Sequence, residues 1–327
     1  MRYVVTGCAG FIASQVTRQL LDAGHEVVGL DDMNDAYDPR LKEWRLAQLS
    51  GSPNFTFTRA DISRLDSLRP LFENGPVDGV FNLAARAGVR QSMENPWIYL
   101  DTNATGTLNV LELARKHDVK KIVTASTSSL YGKHNPRPFR EDADTDRPLS
   151  PYASSKKAAE SLCASYAHLY GLDTPVCRYF TVYGPAGRPD MSMFRFIRWI
   201  AEGEPVVLYG DGSQSRDFTY VDDIARGTVA ALEKTRGHDV YNFGGDRPLI
   251  LRDMIALIEK LVGRPAKLDK RPAHIADVPA TWADIGKARE RLGWEPTTNF
   301  EEGVRRTVDW YVRERTWARE LIVEDQI

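Results

Sequence analysis

Tyr152 and Lys156 stand four residues apart in a segment patterned as a helix, Tyr152–Tyr170, so their side chains leave the same face. A free tyrosine has a pKa of about 10, and a neighbouring cation favours its phenolate, so the pair could carry a proton. Any long helix can hold such a pair by chance, and its meaning depends on its surroundings. Upstream, an apolar run read as a strand, Lys121–Ala125, leads into Ser126-Thr127-Ser128-Ser129. Hydroxyls there would sit where parallel sheets bind ligands, although a capped loop would also look like this. Thr127 could hold the oxygen that Tyr152 deprotonates. Thr127, Tyr152 and Lys156 together are therefore candidate catalytic residues for oxidising an alcohol.

A second constellation opens the chain. Thr6-Gly7-Cys8-Ala9-Gly10-Phe11-Ile12-Ala13 lies between a strand-like run, Tyr3–Thr6, and a helical pattern, Phe11–Ala23. Gly7 permits a tight turn, Gly10 lets backbone approach a pyrophosphate, and Ala13 lets helix and strand pack closely. The helix start at Phe11 and Ile12 offers N–H groups to phosphate. A glycine-rich turn alone is weak evidence, but Asp31 lies 21 residues beyond Gly10 at the end of the next strand, Glu26–Leu30. An acid there accepts hydrogen bonds from an adenosine ribose and repels a 2′-phosphate, which favours NAD over NADP. Asn34 falls in the same turn. Asp61 and Ile62 follow a strand at Phe55–Thr58 and could meet the adenine, with a helix cap at Asp61 the other reading. Leu83, Ala84 and Ala85 close a strand at Gly79–Leu83 with the small residues that backbone lying against a cofactor needs, and close packing would look the same.

These residues need a scaffold. Strands at the positions given, with another at Pro175–Tyr179, alternate with helices that include Thr105–Lys116. The alternation implies right-handed βαβ units: an α/β fold, a Rossmann-type doubly wound parallel sheet. Beyond Phe180, proline and glycine become frequent, and a smaller mixed α/β substrate lobe is expected over 181–327. The cofactor domain is expected over 1–180, with part of 213–245 returning to it. Trp282, Trp294 and Trp310 read as core or interface aromatics, and Glu301–Arg315 as a solvated terminal helix.

Forty-three basic and 45 acidic residues in 327 give a net charge of −2, which suggests neither nucleic acid nor a membrane surface as partner. No run of about 18 apolar residues suggests a membrane span, and the N-terminus reads as a strand rather than a leader. Three scattered cysteines fit neither a disulfide framework nor a metal site, and a cytoplasmic location is expected.

The turn Gly7-x-x-Gly10, Thr127 and Tyr152-x-x-x-Lys156 resemble the extended short-chain dehydrogenase/reductase superfamily over nearly the whole chain. Tyr131-Gly132, Arg178-Tyr179-Phe180-Thr181-Val182-Tyr183-Gly184-Pro185 and Arg216-Asp217-Phe218-Thr219-Tyr220-Val221-Asp222-Asp223 resemble its nucleotide-sugar branch. That likeness implies that Arg216 binds the diphosphate, that backbone around Val207–Tyr209 meets uracil, and that Asn103 and Tyr179 lie near NAD. Within the branch the chain is most similar to UDP-glucuronate 4-epimerases, through Ala87-Gly88-Val89-Arg90-Gln91-Ser92-Met93-Glu94-Asn95-Pro96, Phe180-Thr181-Val182-Tyr183-Gly184-Pro185, Gly187-Arg188-Pro189-Asp190-Met191 and Asp277-Val278-Pro279-Ala280-Thr281. The resemblance implies tightly bound NAD, a UDP-sugar substrate, a homodimer, and a carboxylate site from Thr127, Ser128, Ser129, Thr181 and Arg188, with Arg90 and Asp277 also on substrate. Charge-assisted donors suit a carboxylate. Galactose-type relatives carry Asn in place of Thr181, and the dehydratases and decarboxylases have acids where this chain has Ser128-Ser129. Asn82 and Arg86 depart from the pattern, and His274 reads equally well as an exposed loop residue. The expected reaction oxidises C4, rotates the 4-keto sugar and reduces its other face. A UDP-glucose/UDP-galactose 4-epimerase and a non-catalytic NAD-binding sensor are the alternatives, the latter disfavoured by the intact Thr127, Tyr152 and Lys156.

Overall fold

The computed structural model describes residues 1–272 and 280–323. Its first six strands are β1 (Arg2–Thr6), β2 (Glu26–Asp31), β3 (Phe55–Arg59), β4 (Gly79–Asn82), β5 (Ile122–Thr127) and β6 (Thr174–Tyr179). Six more follow: β7 (Thr181–Tyr183), β8 (Pro205–Tyr209), β9 (Ser215–Tyr220), β10 (His238–Phe243), β11 (Pro248–Ile250) and β12 (Lys267–Arg271). One parallel sheet takes the order β3-β2-β1-β4-β5-β6-β10, and a three-stranded and a two-stranded sheet stand apart from it.

The two-residue side-chain period explains why the central strands are apolar throughout. Val4, Val28, Val80, Ile122 and Val176 enter a core on one face, with Leu68, Leu111 and Cys163 from the covering helices. Val5, Val27, Phe81, Val123 and Cys177 enter the opposite core, with Val16, Ile224 and Trp294. The sheet is thus covered on both sides, as the alternation of strands and helices predicts.

Differences from the sequence reading lie mainly at edges and beyond Phe180. β5 runs to Thr127 rather than stopping at Ala125, so Thr127 ends a strand, and its hydroxyl accepts from Ser129 N–H at 3.1 Å. β10 adds to the sheet beside β6, in parallel register. The second half is more regular than its glycines suggest. The helices Ser192–Glu202 and Leu251–Val262 end at Gly203 and Gly263, both with positive φ, so these glycines stop helices rather than mark loops. The terminal helix, Phe300–Ala318, is not simply solvated, because Val304, Val308, Trp310 and Tyr311 are buried in a third core, apart from the sheet's two, with Phe194, Ile197 and Ile255. Trp294 is a core residue as well.

Candidate active site

The carboxyl ends of β1, β2, β4, β5 and β6 open into a cleft of about 610 Å³. It straddles the reversal of strand order between β1 and β4, where open α/β sheets bind ligands.

One half of the cleft fits a dinucleotide. Gly7 has φ 71°, and a Cβ there would lie 2.8 Å from Ala84 Cα; one at Gly10 would lie 2.8 Å from Gly7 O. The helix Phe11–Asp22 starts at Gly10 with no side-chain cap, which leaves its first N–H groups for an anion. Thr6 Oγ1 accepts from the N–H groups of Leu83 and Ala84, at 3.0 and 2.9 Å, and so pins the loop after β4 beside the turn. Phe11, Ile12, Asp31, Asn34, Asp61, Ile62, Leu83, Ala84, Ala85 and Tyr179 all line the cleft. Asp31 is buried, accepting from Met33 N–H at 2.8 Å and from the Lys42 ammonium at 3.4 Å. Burial pushes the Asp32 carboxyl up, but Asn34's hydrogen bonds and the charges of Lys42 and Arg86 outweigh this and hold it below the ordinary value. Asp61 lines the cleft and accepts from Ser63 N–H at 2.9 Å, a turn of its own and not a helix cap, because the next helix starts at Leu65 behind Arg64.

Asn103 lies behind the wall of the cleft. It brackets the Arg86 peptide, accepting from its N–H at 2.8 Å and donating to its carbonyl at 2.9 Å, and it donates to Ser155 Oγ at 2.9 Å. Asn82 accepts from Thr6 Oγ1 at 3.0 Å and donates to Thr107 Oγ1 at 3.1 Å, which gives that unusual residue a structural account.

Thr127, Tyr152 and Lys156 meet at the centre. Ser150 caps the helix Pro151–Tyr170, accepting from Ala153 N–H at 3.2 Å, and Pro151 takes its first turn. The Lys156 ammonium donates to Ala125 O at 3.0 Å. Burial brings Lys156 down from 10.5 to about 8, against the charge of Glu160, which supports its protonated form. Burial raises the Tyr152 phenol, opposed by its hydrogen bond with Thr127 and by the charge of Arg188. The expected lowering of Tyr152 is therefore not what the protein's own groups produce, and burial dominates.

The other half of the cleft is cationic. Ser128, Ser129, Thr181, Arg188, Val207, Tyr209 and Arg216 line it, and Arg90 lies over the Tyr209 ring at 5.4 Å. Arg188 is bidentate with Asp190, at 3.0 and 2.6 Å, so its charge is already matched by an acid. Sequence reasoning missed Tyr37, Lys42, Asp190, Arg195, Phe196 and Gln214 on the lining. For Lys42 a signal existed: the Asp38-Pro39 helix start just beyond Asp31 brings the first turns of a new helix back to that acid. Asp277 and His274 lie outside the described residues. Arg271 ends β12 and pairs with Asp269 at 3.0 Å.

A family model described as the NAD dependent epimerase/dehydratase family matches residues 3–244. The chain belongs to this family. It is 55% identical over 309 residues to a UDP-glucuronate 4-epimerase of Thermodesulfobacterium geofontis, covering 94% of this chain and 95% of that one. Its structure resembles that of UDP-glucuronic acid 4-epimerase from Bacillus cereus in complex with UDP-glucuronic acid and NAD, with TM-score 0.90, 37% identity, and coverage of 96% and 100%. A UDP-glucose 4-epimerase from Thermotoga maritima, with UDP-glucose, matches with TM-score 0.88, 32% identity, and the same coverage of 96% and 100%.

Proposed function

We propose that this chain is an NAD-dependent isomerase that interconverts UDP-glucuronate and UDP-galacturonate by inverting C4. The observation that carries this reading is one cleft holding the Thr127–Tyr152 hydrogen bond, buried Lys156, and a wall of Ser128, Ser129, Thr181 and Arg188. Gly7, Gly10, Phe11, Ile12 and Asp31 hold NAD, with Asp61, Ile62 and Leu83–Ala85 on its adenine and backbone sides. When bound, NAD supplies the hydride acceptor and donor and adds a positive charge that favours phenolate. Tyr152 takes the C4 hydroxyl proton and gives one back to the same oxygen once the rotated keto sugar is reduced on its other face. Thr127 holds the C4 oxygen, and Lys156, fixed by Ala125 O, stabilises the phenolate. Arg216 and the strand Pro205–Tyr209 hold the UDP end.

The 4-keto form of glucuronate is a β-keto acid, which loses CO₂ when its C5–carboxylate bond stands perpendicular to the carbonyl. Ser128, Ser129, Thr181 and Arg188 prevent this by fixing the carboxylate's orientation. The Arg188–Asp190 pair favours one other reading, a UDP-glucose/UDP-galactose epimerase with neutral C6, because the arginine's charge is already matched.

Residues 1–180, with the returning strand His238–Phe243, form the NAD-binding unit, and most of 181–327 the UDP-sugar lobe. A homodimer is supported by apolar side chains left at the surface along neighbouring helices, among them Trp97 at 73% exposed, Leu100 and Leu169. A single mass near 74 kDa by light scattering is expected, twice the 36.8 kDa chain. Three free, buried cysteines support a cytoplasmic location.

The deciding experiment is incubation of purified protein with UDP-glucuronate, without added NAD, and separation of the nucleotide sugars. UDP-galacturonate as the main product is expected. A UDP-pentose would overturn the carboxylate role, and turnover of UDP-glucose alone would establish the neutral-sugar reading.

A further inference from the structure

Arg45 lies on the helix Pro39–Ala47, is only 2% exposed, and does not line the cleft. Its guanidinium reaches both halves of the site from behind. Nη1 donates to Ala9 O, inside the glycine-rich turn, at 3.1 Å. Nε and Nη2 both donate to Ala186 O, two residues before Arg188, at 3.0 and 2.7 Å. A further donation goes to Tyr37 Oη at 2.7 Å, and the group lies over the rings of Phe11 and Tyr37, at 5.7 and 5.4 Å. Among the described residues no carboxylate pairs with it.

Two physical consequences follow. A buried cation held by carbonyls, a phenol and aromatic faces has its hydrogen bonds met but no counter-charge among these partners, so an anion nearby is favoured. The turn on which it rests is the one shaped for a pyrophosphate. By holding the Ala9 carbonyl backward, Arg45 also keeps the negative end of that peptide out of the phosphate site. The second consequence is geometric. Ala186 has φ 53°, a conformation that a non-glycine residue adopts only when its surroundings impose it, and the double hydrogen bond to its carbonyl helps do so.

We propose that Arg45 is a positioning residue that couples the two halves of the site: it supplies buried positive charge behind the pyrophosphate turn and fixes the loop that carries Arg188, so that NAD retention and binding of the sugar acid depend on one another through it. The proposal deepens the epimerase reading, since the ligand on the second side is the UDP-glucuronate assigned there.

The test uses the holoenzyme. Protein freed of unbound nucleotide is diluted, and NAD remaining on the protein is followed over time, with and without saturating UDP-glucuronate. Linkage is reciprocal, so UDP-glucuronate should slow NAD loss from the unaltered protein. In Arg45→Met, NAD loss should accelerate by about tenfold or more, the scale of one or two lost charge-assisted hydrogen bonds. With NAD restored to saturation, its KM for UDP-glucuronate should stay raised by about fivefold or more while kcat changes less. Arg45→Lys, expected to fold even if the methionine variant does not, keeps the charge but cannot bridge two carbonyls. It should recover much of the NAD retention while losing the protection given by UDP-glucuronate. Leu41→Ala, which opens the core on the same helix, is the control for a merely structural role: it should lower thermal stability and leave the protection factor unchanged. Normal NAD retention in folded Arg45→Met would overturn the proposal, as would unchanged protection by UDP-glucuronate in Arg45→Lys. So would faster NAD loss with protection and KM intact, or protection equally lost in Leu41→Ala. An enzyme inactive on UDP-glucuronate would instead sink the functional reading, while the NAD-loss rates would still report on the charge behind the turn.

Discussion

Replacing Glu160 with glutamine should expose how strongly the helix Pro151–Tyr170 is anchored. Glu160 and Arg178 form a buried ion pair, their side chains 7% and 4% exposed. The carboxylate accepts from Arg178 Nε at 2.9 Å, Arg178 Nη2 at 2.7 Å and Ser126 Oγ at 2.6 Å. Arg178 Nη1 also donates to Tyr131 Oη at 3.0 Å, and Tyr131 donates to Asn242 at 2.6 Å, so the network spans β5, β6 and β10. Glutamine keeps the volume, which excludes a cavity contribution, but sets an amide N–H₂ against donors and leaves the guanidinium without an anion. Breaking one side of a buried pair costs about 3–5 kcal/mol, a large part of the ~5–15 kcal/mol that holds a folded domain. Urea unfolding of Glu160→Gln should register this loss. The double variant Glu160→Leu/Arg178→Met should recover most of it, because removing both charges leaves neither stranded. The same substitution removes the charge that supports protonated Lys156, so the pH at which Lys156 discharges should fall below about 8. A stability loss under about 1 kcal/mol, with the basic limb of the turnover profile unmoved, would refute the reasoning.

Lys156 is charged below about 8, so turnover that needs its ammonium should decline as pH rises through that value, as read from kcat against pH. Its contribution to stability runs the other way: burial disfavours the charged form, so that contribution is greatest where lysine is neutral, above 10.5, and declines as pH falls toward 8. Arg188→Ala should raise KM for UDP-glucuronate by about 10- to 100-fold, the scale of a lost charge-assisted hydrogen bond, and release some UDP-pentose, while UDP-glucose binding changes little. Unchanged kinetics on both sugars would remove Arg188 from the carboxylate site. Gly7→Ala would force a Cβ to 2.8 Å from Ala84 Cα at φ 71°, so purified protein should contain much less NAD after dialysis. Wild-type NAD content would contradict the role assigned to that turn.

Alternation of apolar runs with helical patterns made the parallel sheet readable, because strands buried on both faces leave an unbroken hydrophobic signature, as in Val4-Val5 and Val27-Val28. Tyr152 and Lys156 were readable because a helix converts sequence spacing into a shared face. Arg45 was not: it works through partners brought together only by the fold, Ala9 and Ala186. The Arg188–Asp190 pair was visible as two neighbouring residues, but nothing in their order says whether the acid faces the arginine or water. The amphipathic terminal helix looked solvated because its charges are frequent, while its buried stripe of Val304, Val308 and Tyr311 emerges only against Phe194, Ile197 and Ile255.

The placement of β10 bears on how the chain is made. A ribosome delivers the first six strands of the sheet in order, yet the seventh arrives only after three strands that belong to other sheets have been threaded out. Until residue 243 has left the exit tunnel, β6 is a bare sheet edge, and the helix Val221–Lys234, which covers Phe11–Asp22, has only just emerged. A nascent chain halted near residue 180 would present a long apolar edge of the kind that pairs with other chains. Completion of the seven-stranded sheet therefore waits on translation of the whole segment between β6 and β10, and a single cut in the gene after β6 separates the sheet from its last strand.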